Sequence, residues 1–200
     1  MLIGLTGLYC AGKNFIASLL EKRGVPVLDV DKLGYRAIDA EQDAVLARFG
    51  SGVLDGNGRV NRRLLGERVF GKPEELAALE AIVHPAVNRL TDAWIVEQGG
   101  KACAINAALL HKSSVFGKLD RIILVEAPFL ARLFRARKRD RLPWPVIIRR
   151  FRSQKGFTPQ YFSGKADIYR VENRTCPFLA GILGKKLENR IDEILSGGVQ

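Results

Sequence analysis

The sequence predicts an α/β fold, a five-stranded parallel sheet flanked by helices, and its first 30 residues carry most of that prediction. Residues 2–6 are a short apolar run that ends at a glycine-bearing loop, which indicates a buried strand. Residues 13–23 place apolar side chains at helical spacing until Gly24 interrupts the pattern. A second apolar run covers residues 25–29, with Pro26 at a position that the start or edge of a strand tolerates. Strand, loop, helix and strand in succession form a βαβ unit, and such units build parallel sheets.

The rest of the chain continues to mix strand and helix patterns. Further strands are predicted over residues 102–107, 121–127 and 168–172. Further helices are predicted over residues 42–49, 62–70, 73–83, 85–97, 128–138, 146–154 and 179–195. Residues 55–58 read Asp-Gly-Asn-Gly, which is a turn signal. Pro73 and Pro85 each stand where a helix can begin, because the first helical residue needs no N–H donor.

Composition indicates one soluble globular domain. The 200 residues are 47% apolar and 26% charged, and no uninterrupted apolar run reaches the roughly 18 residues that a membrane span needs. We therefore expect no membrane partner, and the glycines and Lys13 that follow the first apolar run are unlike a signal peptide. Three cysteines, Cys10, Cys103 and Cys176, are an odd number without metal-ligand spacing. This cysteine usage favours a reducing, cytoplasmic setting over a disulfide framework.

The net charge of +11 is concentrated in one segment. Residues 132–165 contain eleven Lys and Arg residues and one acid, Asp140, so this segment carries +10 and the rest of the chain about +1. Such a patch suits polyanions, of which triphosphates and nucleic acid are the two obvious candidates. The alternative is a solvated surface helix.

Residues 7–14 read Gly-Leu-Tyr-Cys-Ala-Gly-Lys-Asn, which fits the phosphate-loop pattern Gly-x-x-x-x-Gly-Lys. Glycines let backbone N–H groups curl around phosphates, and the positive end of the following helix adds its dipole. Lys13 is expected to reach the β- and γ-phosphates as a point charge. The loop follows a predicted strand and precedes a predicted helix, which is the context that the chemistry requires.

The loop departs from the full pattern at Asn14, where a Ser or Thr hydroxyl normally coordinates Mg²⁺. An amide oxygen is also a ligand for hard cations, but the longer side chain has to pack differently. Tyr9 and Cys10 stand where a glycine-rich middle is usual. The loop therefore predicts phosphate binding, whereas Asn14 disfavours efficient magnesium-assisted transfer.

With these features in view, the chain resembles the dephospho-coenzyme A kinase family over nearly its whole length. That family moves the γ-phosphoryl group of ATP to the ribose 3′-hydroxyl of dephospho-coenzyme A. Individual motifs are short, and their order and spacing make the match specific. The matching segments are residues 3–14, Val-Leu-Asp-Val-Asp-Lys-Leu at 27–33, Gly-Arg-Val-Asn-Arg at 58–62, Leu65, Val69-Phe70, Leu-Glu-Ala-Ile-Val-His-Pro at 79–85, Arg135, Arg139-Asp140, Arg150, Gln154, Ala166-Asp167 and Asn173.

The resemblance implies a single P-loop kinase domain of the adenylate-kinase-like class. Its core would comprise residues 1–54, 101–139 and 166–200. A helical acceptor-binding insert would span about 55–100, and a basic lid would span about 140–165. The implied substrates are ATP and dephospho-coenzyme A, with Mg²⁺ as the metal.

For catalysis and the acceptor, the resemblance implies roles for a small set of residues. Asp31 would be the general base for the ribose hydroxyl and Lys13 a catalytic phosphate ligand, while Asp29 and Asn14 would help to hold the metal. The acceptor site would include Asp31, His84, Leu109 and Leu110. Alternatives remain: the two acids can serve as helix caps, and a lone histidine before Pro85 can be a structural hydrogen-bonding group.

For the nucleotide, the resemblance implies a binding set drawn from the loop, the lid and the last strand. This ATP-binding set is Gly7, Cys10, Ala11, Gly12, Lys13, Asn14, Phe15, Arg139 and Asn173. The implied lid phosphate clamp is Arg135, Arg139 and Arg150. Alternatively, part of the arginine cluster is solvated surface, and Asn173 sits in a turn.

A second departure lies at residues 106–112, Asn-Ala-Ala-Leu-Leu-His-Lys, where the family usually reads Asp-x-Pro-Leu-Leu-x-Glu. With Asn14, this change removes groups expected near the metal and substrate, so the site is either re-tuned or weakened. The first rival function is another small-molecule P-loop kinase. The second is a nucleotide- or nucleic-acid-binding protein that has stopped catalysing, although nucleic acid is the disfavoured partner. We expect a monomer or a weak homo-oligomer.

Overall fold

The computed structural model describes residues 1–152, 154, 166–174 and 180–197. Residues 153 and 155–165 of the predicted lid, and Cys176, lie outside the described residues. The chain divides into two compact units, one of residues 1–28 with 100–200 and one of residues 29–99. The predicted insert of about 55–100 falls almost wholly within the second unit.

Five strands form one sheet in the order β2-β3-β1-β4-β5. Their bounds are β1 Leu2–Gly7, β2 Val27–Asp29, β3 Cys103–Asn106, β4 Arg121–Glu126 and β5 Asp167–Glu172. The central strand β1 runs parallel to both of its neighbours, with Leu5 opposite Asn106 on one side and Ile123 on the other. The parallel α/β class predicted from the sequence is confirmed.

Eight α-helices lie within the described residues. They are α1 Lys13–Glu21, α2 Val30–Ala40, α3 Gln42–Phe49, α4 Arg62–Val69, α5 Pro73–Glu97, α6 Phe129–Asp140, α7 Trp144–Arg152 and α8 Ala180–Ser196. None of the helices in this part of the chain has the length and apolar character that a membrane span requires.

The prediction of two helices over residues 73–83 and 85–97 is wrong, because α5 runs unbroken from Pro73 to Glu97 with Pro85 inside it. A proline lacks the N–H that would bond the carbonyl four residues earlier, and an internal proline costs a helix about 3 kcal/mol. The helix continues because it packs against α2, α3 and α4 of the same unit. Tertiary packing therefore outweighs the local break.

The main hydrophobic core lies on the face of the sheet that α1 and α8 cover. Alternate strand residues point into it, as the two-residue period of a strand requires. The strand contribution is Ile3, Leu5, Ala104, Ile123, Val125, Tyr169 and Val171. The helical contribution is Ile16, Ala17, Leu19 and Leu20 of α1 and Leu187, Ile191 and Ile194 of α8. Each large aliphatic side chain buried here stabilises the fold by about 1.5–3 kcal/mol, which anchors α1 immediately after the phosphate loop.

The opposite face of β1 is covered closely at Gly4. A side-chain carbon at this position would meet Leu110 at 2.5 Å and Leu119 at 2.8 Å. The segment after β3 therefore packs directly onto the central strand. This contact fixes the chain just beyond Asn106.

The second unit has its own smaller core, formed by α3, α4, α5 and the loop between α3 and α4. Its buried residues are Val45, Phe49, Val53, Val60, Leu65 and Val69. The turn predicted at residues 55–58 is confirmed, because the Asp55 carboxylate accepts hydrogen bonds from the backbone N–H groups of Asn57 at 2.8 Å and Arg59 at 3.0 Å.

Candidate functional site

The phosphate loop lies where β1 ends and α1 begins. The N–H of Ala11 donates to the carbonyl of Leu8 at 2.9 Å, which closes a tight turn. Gly12 has φ +102° and is the N-cap residue of α1. Because glycine has no side-chain acceptor, it does not cap the first-turn N–H groups of α1, and the positive end of the helix dipole faces the loop. This backbone geometry is suited to an anion.

Both glycines of the motif are required by contacts. A Cβ on Gly7 would lie 2.3 Å from the carbonyl oxygen of Val125 in β4. A Cβ on Gly12 would lie 2.1 Å from Nδ2 of Asn173. Cys10 has φ +59°, a left-handed conformation that costs a residue with a side chain roughly 1–2 kcal/mol. The loop therefore stores some strain at Cys10, where the usual pattern has glycine.

Arg135 and Asn173 brace the loop through its carbonyl groups. Nη1 of Arg135 donates to the carbonyls of Cys10 at 3.3 Å and Ala11 at 3.0 Å, and Nη2 donates to the carbonyl of Asn173 at 3.0 Å. The buried Asn173 side chain donates from Nδ2 to the carbonyl of Ala11 at 3.0 Å. Burial lowers the pKa of Arg135. These carbonyls are thus turned away from an anion site, and a role of Asn173 in ATP binding stays a prediction.

Arg132 is a second brace, which the sequence reasoning missed. It is 7% exposed, its Nε donates to the carbonyl of Tyr9 at 2.8 Å, and its guanidinium stacks over Phe151 at 4.6 Å. Oε1 of Gln154 accepts from the backbone N–H of Tyr9 at 2.6 Å and from Arg132 at 3.4 Å. The signal that could have revealed Arg132 is its spacing: residues 132, 135 and 139 are i, i+3 and i+7 on α6, which places them on one helix face.

Arg139 and Arg150, two residues of the predicted clamp, are both paired with Asp140. Nε and Nη2 of Arg139 donate to the two carboxylate oxygens at 2.6 and 3.2 Å, and Nη1 of Arg150 donates to one of them at 3.2 Å. The hydrogen bond from Arg139 is the largest cause that lowers the pKa of Asp140 to about 2. The same carboxylate raises the pKa of Arg139. One carboxylate therefore holds both arginines beside the loop.

Asn14 and Asn106 form an amide pair that could hold a hard divalent cation. Nδ2 of Asn106 donates to Oδ1 of Asn14 at 3.2 Å. Oδ1 of Asn106 is buried and has no hydrogen-bond partner among the described residues. Amide oxygens are ligands for such cations, so the donor chemistry fits Mg²⁺, although it brings no negative charge. In the described part of the chain no cluster of three or more His, Cys, Asp or Glu residues could hold a metal.

In the second unit, a cavity of about 240 Å³ lies between α2 and α5. It brings together Asp31 and His84, the two residues of this unit that were predicted to bind the acceptor. The other lining residues are Gly34, Tyr35, Ile38, Leu79, Glu80 and Val83. Asp31 and His84 are both exposed, and the cavity combines an apolar wall with one carboxylate and one imidazole.

Asp29 is the N-cap residue of α2, and its Oδ1 accepts a hydrogen bond from the N–H of Lys32 at 3.3 Å. Asp31 lies in the first turn of the same helix, where a carboxylate is favoured by the helix dipole. The capping alternative therefore describes Asp29 in this structure. A metal-binding role of Asp29 stays a prediction.

The remaining predicted residues are two leucines of the acceptor site and three residues of the ATP-binding set. Leu110 is fully buried in the first unit, whereas Leu109 is 51% exposed. Lys13, Asn14 and Phe15 form the first turn of α1, with Asn14 and Phe15 exposed and Lys13 half-buried.

A phosphate cradle at the carboxyl end of the central strand of a parallel β2-β3-β1-β4-β5 sheet defines a P-loop nucleotide-binding protein. The dephospho-CoA kinase family model matches residues 1–160. A dephospho-CoA kinase of Halalkalibacterium halodurans is 34% identical over 161 residues, which is 78% of this chain and 80% of the relative. One from Thermus thermophilus is 36% identical over 173 residues, 86% of this chain and 83% of the relative. A crystal structure of a Thermus thermophilus protein matches with a TM-score of 0.79 and 31% identity, covering 100% of this chain and 98% of that one.

This chain belongs to the dephospho-CoA kinase family. The resemblance inferred from the sequence is thereby confirmed. The individual residue roles that it implies stay predictions.

Proposed function

We propose that this protein transfers the γ-phosphoryl group of ATP to the ribose 3′-hydroxyl of dephospho-coenzyme A, the last step of coenzyme A synthesis. The 3′-oxygen attacks the γ-phosphorus, the bond from that phosphorus to the β,γ-bridging oxygen breaks, and ADP leaves. The observation that supports this most strongly is the braced loop. Its glycine geometry and its tethered carbonyls leave the helix N-terminus to face an anion.

On the nucleotide side, the proposal assigns the ATP phosphates to the backbone of residues 7–14 and to the Lys13 ammonium. Arg139 and Arg150 would neutralise charge that spreads over the transferring group. Arg135 would act indirectly, because its guanidinium is bonded to the carbonyls of Cys10 and Ala11. Water exclusion would come from the lid segment around α7.

On the acceptor side, the proposal assigns the cavity between α2 and α5 to dephospho-coenzyme A. Asp31 would accept the proton of the attacking hydroxyl, because a side-chain carboxylate is the type of general base that phosphoryl transfer to a hydroxyl uses. His84 would contact the acceptor from α5. The apolar lining from Tyr35 and Ile38 suits an uncharged part of the ligand.

A divalent cation, Mg²⁺ in the proposal, would supply Lewis-acid stabilisation of phosphate charge when bound. Asn14 and Asn106 are the residues of the first unit that would hold it. Both residues of the amide pair are neutral at every pH of interest. We therefore expect weaker metal retention than a hydroxyl–carboxylate pair would give.

An acceptor screen tests this function against the rival small-molecule kinases. ATP and Mg²⁺ are held constant while dephospho-coenzyme A, a nucleoside, a nucleoside monophosphate and shikimate are offered in turn. Phosphorylation of dephospho-coenzyme A alone, at the ribose 3′ position, is the expected result. Preference for another acceptor would replace the proposal, and ATP binding without transfer to any acceptor would favour the non-catalytic alternative that the neutral amide pair supports.

A further inference from the structure

Tyr9 of the phosphate loop has two guanidinium groups close to its ring. The Cζ atoms of Arg139 and Arg150 are 5.4 and 5.6 Å from the centroid of its ring, within the range of a cation–π interaction. Its hydroxyl donates to the Asp140 carboxylate and accepts from Nη1 of Arg150, the latter at 3.2 Å. One side chain of the loop therefore contacts the last turns of both α6 and α7.

Asp140 joins the two arginines at one point. The same oxygen, Oδ2, accepts from Arg139, Arg150 and Tyr9. Asp140 is the only acid between residues 132 and 165, among eleven basic residues. Without this carboxylate, two like charges on adjacent helices would repel each other instead of converging beside the loop.

The pairing uses only part of each guanidinium. Arg139 engages the carboxylate through Nε and Nη2, and Arg150 engages this network through Nη1. A guanidinium is planar and carries five N–H donors. Because the group is rigid, binding some of these donors to the carboxylate also fixes the directions of the other N–H bonds. The network therefore fixes the orientation of both guanidinium groups.

The network is placed poorly for stabilising the fold and well for orienting side chains. The Arg139 and Arg150 side chains are 60% and 50% exposed, and exposed ion pairs contribute little to stability. Long arginine side chains lose much rotational freedom when they bind a ligand. If the two arginine side chains are already ordered in the free protein, their entropy is lost on folding and not on binding, so the ligand binds more tightly.

We propose that Tyr9 and Asp140 are positioning residues that hold Arg139 and Arg150 beside the phosphate loop before a nucleotide binds. This inference rests on the proposed function, in which those two arginines contact ATP phosphates. Neither the side chain of Tyr9 nor that of Asp140 touches the substrate in this account. Their contribution is to preorganise two cations that come from different helices.

The most direct test is Tyr9→Phe, because it keeps the ring, the stacking and the net charge and removes only the hydroxyl. We expect ATP to bind about fivefold more weakly, from the ordering cost of the released side chains, while kcat changes by less than about twofold. The Asp140→Asn variant removes the carboxylate charge that joins Arg139, Arg150 and Tyr9. In that background, adding Tyr9→Phe is expected to have little further effect, since the bond that it deletes is already weakened. Arg149→Gln, which changes an exposed neighbour of Arg150, is the control for charge on α7.

A second measurement needs no nucleotide. Phenylglyoxal reacts with accessible arginines, and peptide mass spectrometry resolves the rate at each site. Tyr9→Phe is expected to speed the modification of Arg139 and Arg150 severalfold and to leave Arg149 unchanged. If the Tyr9 hydroxyl only stabilised the fold, Tyr9→Phe would change the modification rates of Arg139, Arg149 and Arg150 alike and would also lower the unfolding midpoint.

These readouts separate this inference from the proposed function. Wild type that binds ATP and responds to Tyr9→Phe as described, but phosphorylates no acceptor, would overturn the proposed function and support the positioning role. Unchanged or tighter ATP binding in Tyr9→Phe would overturn the positioning role, whatever the modification rates show. Tighter binding in Asp140→Asn would also overturn it, because Asp140 would then compete with phosphate for the two arginines.

Discussion

Replacing Gly12 with alanine tests the idea that contacts beneath the loop shape the phosphate site. Gly12 has φ +102°, and an added Cβ would lie 2.1 Å from Nδ2 of Asn173. No real Cβ tolerates that separation, so either the buried Asn173 amide or the loop has to move. Movement of Asn173 breaks its hydrogen bond to the carbonyl of Ala11.

The expected loss of stability has two parts. The left-handed backbone costs alanine roughly 1–2 kcal/mol, and a buried amide that loses its partner costs roughly 1–3 kcal/mol. Gly12→Ala should therefore lower the free energy of unfolding by about 2–5 kcal/mol. Gly24→Ala is the matched control, because Gly24 has φ +74° but nothing lies within 4 Å of an added Cβ. Gly24→Ala should therefore lower the free energy of unfolding only by the roughly 1–2 kcal/mol that the left-handed backbone costs.

Urea denaturation of wild type and both variants measures this difference, and a titration with ATP measures the state of the loop. We expect Gly12→Ala to be less stable than Gly24→Ala by about 1–3 kcal/mol, the Asn173 part, and to bind ATP far more weakly. Equal losses of stability in the two variants, with ATP affinity retained in Gly12→Ala, would refute the reasoning.

Four further predictions follow from the site. Lys13→Ala should nearly abolish ATP binding or transfer without unfolding the protein, and unchanged affinity and activity would remove the phosphate-loop assignment. Asp31→Asn should keep ATP affinity and lower kcat by about 10²-fold or more, as expected for a lost general base; a change in nucleotide affinity alone would move Asp31 to the metal site. Asn14→Ser should lower the Mg²⁺ concentration for half-maximal activity, and Mn²⁺ should help wild type more than it helps this variant; lost activity would mean that Asn14 is built into the site by compensating changes. Because Arg139 lowers the pKa of Asp140 from 3.8 to about 2, Asp140 should contribute stability above pH 4 that is lost as the pH falls towards 2. Solvent screening of the exposed arginines should keep this contribution below about 1 kcal/mol; a stability difference between wild type and Asp140→Asn that stays constant from pH 5 to pH 2 would contradict this.

Local patterns predicted much of the fold because β1, the loop and α1 follow one another in sequence. The apolar run, the glycines and the helical spacing are all visible within 20 residues. The error at α5 arose from the same local view. Pro85 carries the same signal at a helix start and inside a helix, and only packing against α2, α3 and α4 decides which it is.

The site was predictable where a motif spans it and unpredictable where distant residues meet. Gly7 and Gly12 followed from the motif, and the structure supplies the contact that makes each necessary. The bonds from Arg132 to the carbonyl of Tyr9 and from Asn173 to that of Ala11 join residues 123 and 162 positions apart. No local pattern encodes such pairings. For Arg132, the trace in the sequence was the regular spacing of arginines on α6, whereas Arg135, Gln154 and Asn173 were named through the family resemblance.

The central claim is that this member of the dephospho-CoA kinase family transfers phosphate to dephospho-coenzyme A despite the amides at Asn14 and Asn106. Coupled release of ADP tests it most directly, with ATP, Mg²⁺ and dephospho-coenzyme A present together and each omitted in turn. We predict ADP release that requires all three components and yields one coenzyme A for each ADP. ADP release that does not depend on dephospho-coenzyme A, or none with either Mg²⁺ or Mn²⁺, would contradict the account.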